Sequence, residues 1–268
     1  MRAALITRDQ FLGGRLVALQ PARGHHRAGL DAILLAALFS RTARGTAIDL
    51  GAGVGTAGFA LAARAPAAVV TLAEREHDLA ALAREALADP ANALFAARVR
   101  ILAVDLLDGA ARHAAGLVPG SFDHALMNPP FHAGGSVRAS PKEARARAHV
   151  LDESGLDGWF RAAAALVAPG GSLAVILPAS LLGDLTDGMG RRFGALAIQP
   201  VAARPDEAAI RLLCRGLKGS RAPTSLLPPL VLHEATGHGF TPPVQALLAE
   251  GAALADIHSS WRRLGLDG

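Results

Sequence analysis

The chain has a single cysteine, Cys214, no tyrosine, two tryptophans and only two lysines, Lys142 and Lys218. One cysteine excludes an internal disulfide framework and any cysteine-rich zinc site. It lies in the apolar run AIRLLCRGL, where packing suits it better than nucleophilic chemistry. Neither lysine follows a glycine loop with P-loop spacing, so no Walker-type nucleotide site is expected. The histidines, including His25-His26, show no paired-ligand spacing, and no metal is expected. Ser136 and Ser172 follow Gly-Gly but lack the closing glycine of a nucleophile elbow. No apolar run reaches the roughly 18–20 residues that span a bilayer. The most apolar stretch, Ala28 to Phe39, is shorter and carries Asp31. The opening MRAALITRDQ has no long apolar core and no small-residue cleavage site, so a secretory leader is not expected. These absences lead to the expectation of a soluble, cytoplasmic protein.

Hydrophobic residues make up 51% of the 268 positions, enough for a large buried core. The formal charge of +4 says little until it is divided along the chain. Residues 1–30, 134–150 and 210–221 are each net positive, which leaves the remainder net negative. Charge sorted in this way can make a basic face for a polyanion. From residue 46 onward, short apolar runs alternate with helical stretches. TAIDL, AVVTLAE, RVRILAVD, FDHALMN and SLAVILP read as strands. The stretches 54–64, 77–89 and 156–171 read as helices, the last stopped by Pro169-Gly170-Gly171. Strand, helix, strand repeated predicts a parallel, doubly wound sheet. ALAIQPVAAR (195–204) and AIRLLCRGL (209–217) predict an antiparallel hairpin at its end. Residues 241–254 predict a late helix beginning at its prolines. FLGGRLVALQPARGHHR reads as a small hairpin before the helix LDAILLAALFS. The expected organisation is an N-terminal extension, 1–45, packed on a catalytic domain, 46–268.

Two motifs carry chemistry. The first is Asp49-Leu50-Gly51-Ala52-Gly53-Val54-Gly55-Thr56, a glycine-rich turn between a strand and a helix. Such a turn lets backbone approach a ligand and offers it the free N–H groups of a helix start. Gly53, Gly55 and Gly58 also spell the dinucleotide fingerprint, with Glu74 as a ribose acceptor, which keeps a nicotinamide oxidoreductase open. Asp49 argues the other way. A carboxylate there repels a pyrophosphate and suits a cationic amino-acid moiety, such as the methionine part of S-adenosylmethionine. Asp105, at the end of the third strand of that series, is placed to accept from an adenine amino group.

The second motif is Asn128-Pro129-Pro130-Phe131, directly after an apolar strand. Consecutive prolines fix the backbone and present carbonyls without N–H competition. The Asn128 oxygen and the Pro129 carbonyl can accept both hydrogens of one planar amino group, turning its lone pair toward an electrophilic methyl. Phe131 can stack on the ring that bears the amine. Ser140-Pro141-Lys142-Glu143 then starts a helix with a capping box. Arg27, Arg138, Lys142, Arg145 and Arg147 are candidates for an RNA phosphate backbone.

With these motifs the chain resembles the class I S-adenosylmethionine-dependent methyltransferases of the amino-methylating (Asn/Asp/Ser)-Pro-Pro-aromatic group, over roughly residues 10–220. Within that group, residues 11–37 look like the N-terminal signature of bacterial valine-tRNA adenine N6-methyltransferases, which modify the adenine 3′ of the anticodon. The resemblance implies a Rossmann-like fold with a mostly parallel seven-stranded sheet and an antiparallel hairpin edge. It implies S-adenosylmethionine as cofactor, tRNA as substrate, and neither metal nor membrane as partner. Cofactor residues would be Asp31, Asp49, Gly51, Gly53, Gly55, Glu74, Asp105 and Asn128; the catalytic clamp would be Asn128, Pro129, Pro130 and Phe131. Many relatives carry tyrosine where this chain has Phe131, so stacking survives and a phenolic hydrogen bond does not. Protein glutamine and rRNA amine substrates use the same clamp chemistry and stay open. Small-molecule O-methylation and a non-catalytic RNA-binding module fit the motifs less well.

Overall fold

A computed structural model describes residues 6–22, 29–130 and 155–264. The chain opens with a hairpin, β1 (Ile6–Phe11) and β2 (Leu16–Pro21), joined through Leu12–Gly14. Asn92 fastens the hairpin by imitating a strand partner. Its Oδ1 accepts from Val17 N at 2.9 Å, and its Nδ2 donates to Val17 O at 2.8 Å. Helix α1 (Leu30–Ala36) follows.

The central sheet begins with β3 (Arg44–Leu50), α2 (Thr56–Arg64), β4 (Ala67–Glu74) and α3 (His77–Leu87). A short α4 (Ala93–Ala96), β5 (Val99–Ala103), α5 (Gly109–Ala114) and β6 (Phe122–Met127) come next. The second half holds α6 (Gly155–Leu166), β7 (Val167–Pro178), α7 (Leu182–Gly190), β8 (Phe193–Ala202) and β9 (Ala209–Lys218). Two-residue strands β10 (Ser225–Leu226) and β11 (Leu230–Val231) precede α8 (Pro242–Gln245).

The strand order is β10-β8-β9-β7-β6-β3-β4-β5, with β11 also on β8. The run from β5 to β7 is parallel, and β9 is antiparallel to both of its neighbours. This is the expected doubly wound sheet with one correction. It has nine strands rather than seven, because β10 and β11 extend the edge beyond the β8–β9 hairpin.

Alternate residues of each strand feed two cores, as the two-residue period of a strand requires. Ala47, Leu126, Ala174 and Ile176 face the core shared with α1 and α2. Ile48, Leu50, Met127, Val175 and Leu177 face the core shared with α6 and α7.

Two local expectations change. Helix α6 stops at Leu166, before Pro169-Gly170-Gly171. That tripeptide lies inside β7, where the register jumps from Phe122↔Val167 to His124↔Ser172 and residues 168–171 bulge out. The late helix starts at its prolines but ends in the left-handed Gly251, and a separate short turn, Leu254–Ile257, follows. Among the described residues no helix is long and apolar enough to cross a membrane.

Candidate active site

The register of four neighbouring strands assembles the candidate residues. Leu50 pairs with Met127 on one side and with Ala73 on the other. Gly51, Asn128 and Glu74 therefore leave β3, β6 and β4 at one level, about 4.8 Å between neighbours. Glu74 in turn pairs with Ala103, two residues before Asp105. The site thus lies at the carboxyl ends of the parallel strands, where β3 sends its successors to one side and β6 to the other. Open α/β sheets bind ligands at such a switch point.

The glycine turn is stapled to β4. Gly51 N and Ala52 N both donate to Ala73 O, at 2.9 and 3.1 Å. Gly53 adopts a left-handed φ of 56°, and a Cβ built there would meet nothing within 4 Å, so the space beside it is open. Gly58 is small for the opposite reason. A Cβ there would collide with Leu72 and crowd Asp49, because α2 lies so close to β4.

Asp49 is buried, and its Oδ2 accepts from Gly58 N at 2.8 Å, in the first turn of α2. Burial pushes its carboxyl up to about 7; the Gly58 N–H opposes the shift, and the charge of Glu74 adds to it. Glu74 Oε2 accepts from Gly53 N at 2.7 Å, while Oε1 accepts from Glu76 N at 2.8 Å. One acid thereby shapes both the glycine turn and the exit from β4. Asp105 Oδ1 accepts from Leu107 N at 2.9 Å and holds the loop after β5. Glu74 and Asp49 thus stand at the glycine turn, with Asp105 beyond the neighbouring β5, a row of acids along the carboxyl end of the sheet that suits a cationic ligand.

Asn128 is half-buried, and no hydrogen bond to a described residue engages its amide. Pro129 is buried beside it. Phe131, Arg138, Lys142, Arg145, Arg147 and Arg27 lie outside the described residues, as does the helix start at Ser140. Asp31 stands elsewhere on the rim, with its Oδ2 3.0 Å from Arg211 Nε on β9.

Trp159, which the sequence reading did not single out, borders the turn, as does Thr56 at the motif's end. The benzo edge of Trp159 on α6 lies against Gly51, where a Cβ would come within 2.8 Å of Cη2. Trp159 Nε1 and Thr56 Oγ1 are buried without a hydrogen-bond partner. An orphaned buried polar atom costs about 1–3 kcal/mol, and Thr56 Oγ1 stands at the end of the glycine turn, where a ligand could engage it. Trp159 on the apolar face of the helical stretch 156–171 is a signal the sequence carries. Among the described residues no group of three His, Cys, Asp or Glu side chains is arranged to hold a metal ion.

Comparison with known proteins fits this geometry. The profile of the methyltransferase small domain matches residues 25–198. A tRNA1(Val) (adenine(37)-N6)-methyltransferase of Porphyromonas gingivalis is 32% identical over 59% of this chain and 61% of its own length. A protein of the same name from Shewanella halifaxensis is 32% identical over 55% of this chain and 56% of its own. The chain thus matches about three-fifths of the length of these curated relatives. Among solved structures, Atu636 of Agrobacterium tumefaciens, described as a predicted O-methyltransferase, superposes with a TM-score of 0.70. It is 37% identical, over 83% of this chain and 97% of that one. The chain belongs to the methyltransferase small domain family, whose cofactor is S-adenosylmethionine.

Proposed function

We propose that the protein methylates the exocyclic N6 of an adenine in tRNA, near the anticodon. The observation that carries this reading is the register Leu50↔Met127, which sets the glycine turn and Asn128-Pro129-Pro130 side by side. The residues present fit S-adenosylmethionine. Gly53 opens beside a left-handed turn, the orphaned Thr56 Oγ1 and the benzo edge of Trp159 border it, and Glu74 holds a carboxylate against Gly53 N, with the Asp49 carboxyl buried behind. Asp49, Gly51, Gly53, Gly55, Glu74 and Asp105 would hold it. When bound, it supplies an electrophilic methyl group on a sulfonium.

The clamp does the rest. Asn128 Oδ1 and the Pro129 carbonyl accept the two amine hydrogens, which withdraws the nitrogen lone pair from the ring. Phe131 stacks on the base. The clamped nitrogen would take the methyl as the methyl–sulfur bond breaks and a neutral thioether, S-adenosylhomocysteine, leaves; the surplus proton would then pass to water, so no buried general base is needed before attack. Positioning and fixed dipoles supply most of the rate. We assign residues 1–45 as an N-terminal extension of the catalytic domain 46–268.

The adenine N6 assignment rests on the two curated relatives' names and on the amine-clamping motif. Asn128→Ala is the direct test. Cofactor affinity by calorimetry should stay within about twofold, while methyl transfer falls at least about 10²-fold. Unchanged turnover sinks the clamp. Label that survives RNase in a protein band would instead support a glutamine substrate.

A further inference from the structure

Arg211, the third residue of β9, pairs in register with Pro178, the last residue of β7. On the far side of β7, β6 leads straight into the clamp. Arg211 and the clamp thus stand at the same end of the sheet, two strand spacings or about 10 Å apart. Asp31, in the first turn of α1, accepts from Arg211 Nε at 3.0 Å, and Arg211 Nη1 donates to the Ile210 carbonyl at 3.1 Å. The two side chains of the pair are 29% and 17% exposed. The pair is partly buried and ties the first turn of α1 to the edge of β9. Its effect is to hold a guanidinium at the rim in one orientation. The five donors of a guanidinium lie in one planar fork, which can hold a carboxylate and a phosphate together.

The surroundings suit the same ligand. Ile210 is 43% exposed and Leu182, which follows the end of β7, is 44% exposed. Apolar surface beside a fixed cation matches the alternation of base, sugar and phosphate along a strand. Acids hold the cofactor half of the site, at Asp49, Glu74 and Asp105, and would repel that backbone. Arg211 sets an oriented guanidinium at the end of the sheet that carries the clamp.

We propose that Arg211 receives a backbone phosphate of the RNA next to the target base, and that Asp31 is its positioning residue. This rests on the RNA-methylation reading above, and it gives Asp31 a substrate-side role in place of the cofactor-side one. The test uses the full chain, an unmodified tRNA transcript and a salt series. Arg211→Gln should raise KM for RNA about tenfold and leave the cofactor Kd unchanged. It should also make the logarithmic salt dependence of kcat/KM shallower by about one. Arg211→Lys should restore the salt slope and only part of KM, since the bidentate fork is lost. Asp31→Asn leaves the arginine in place and keeps the test standing if Arg211→Gln fails to fold. It should raise RNA KM about threefold with cofactor affinity intact. A merely structural pair would lower Tm and leave KM and the salt slope alone. Wild-type KM and slope in Arg211→Gln overturn the proposal, as does an Asp31→Asn variant that loosens cofactor but not RNA. A wild-type enzyme active on RNA alongside an unaffected Arg211→Gln defeats this proposal only; a wild type that methylates no RNA defeats the RNA reading and this proposal together.

Discussion

The two ends of helix α2 each meet a buried charge, and the two charges are treated differently. At its C-terminal end Arg64, 6% exposed, donates to four backbone carbonyls: Gly251, Ala36, Phe39 and Ala252. These tie α1 and the segment after Gly251 to one side chain, and the cation favours the negative end of the helix dipole. Burial still draws the Arg64 pKa down, to about 10. At the N-terminal end Asp49, 2% exposed, accepts from Gly58 N, and burial lifts its pKa to about 7. A charge buried for structure is surrounded by partners. A charge buried beside the open glycine turn is held in a costly state, which a cationic ligand can relieve.

Removing Arg64 should have the largest effect on folding. Arg64→Met leaves four carbonyls without their donor, and the loss in urea unfolding should be about 3–5 kcal/mol. A loss below about 1 kcal/mol would mean that water replaces the guanidinium and that the two ends of α2 are alike.

Asp49→Asn should act in the opposite direction on the ligand-free protein. Because the folded pKa of about 7 stands above the ordinary 3.8, the native state holds a proton that the unfolded chain releases. The group's contribution is complete below about pH 4 and is lost as pH rises through 7. The variant should lack that decline and gain on the order of 1–2 kcal/mol at pH 8. Its affinity for S-adenosylmethionine should fall about tenfold, whereas wild-type affinity should strengthen as pH rises through 7. A variant that is less stable at pH 8 would contradict the comparison.

Smaller effects probe the turn itself. Gly53→Ala meets no neighbour, so only the left-handed backbone resists it, at about 1 kcal/mol; cofactor binding should weaken more than folding does. Trp261, whose Nε1 donates to Gln199 Oε1 at 2.7 Å, is remote from this turn in its bonding. In a Trp261→Phe background, Trp159 emission should shift on adding S-adenosylhomocysteine; an unchanged spectrum would remove Trp159 from the pocket.

The parts of this arrangement that the sequence discloses are local. Strands β3, β4 and β6 begin and end within two residues of their apolar runs, since parallel strands buried on both faces read as continuous hydrophobic stretches. The glycine turn and Asn128-Pro129-Pro130 are legible because each is contiguous. Partners distant in the chain are not: Arg211 meets Asp31 across 180 positions, and Arg64 meets Gly251 across 187. The extra strands β10 and β11 are two residues each, in a proline-rich stretch with no alternation to read. Pro169-Gly170-Gly171 was a true break signal, but the bulge it makes sits inside a strand because His124↔Ser172 resumes the pairing.

Incubating the purified protein with unmodified tRNA and methyl-labelled S-adenosylmethionine, then digesting the RNA to nucleosides for mass spectrometry, tests the central claim most directly. The account predicts label in N6-methyladenosine, lost when Asn128 is replaced by alanine. Label on a ring nitrogen, on ribose or only in protein would contradict it.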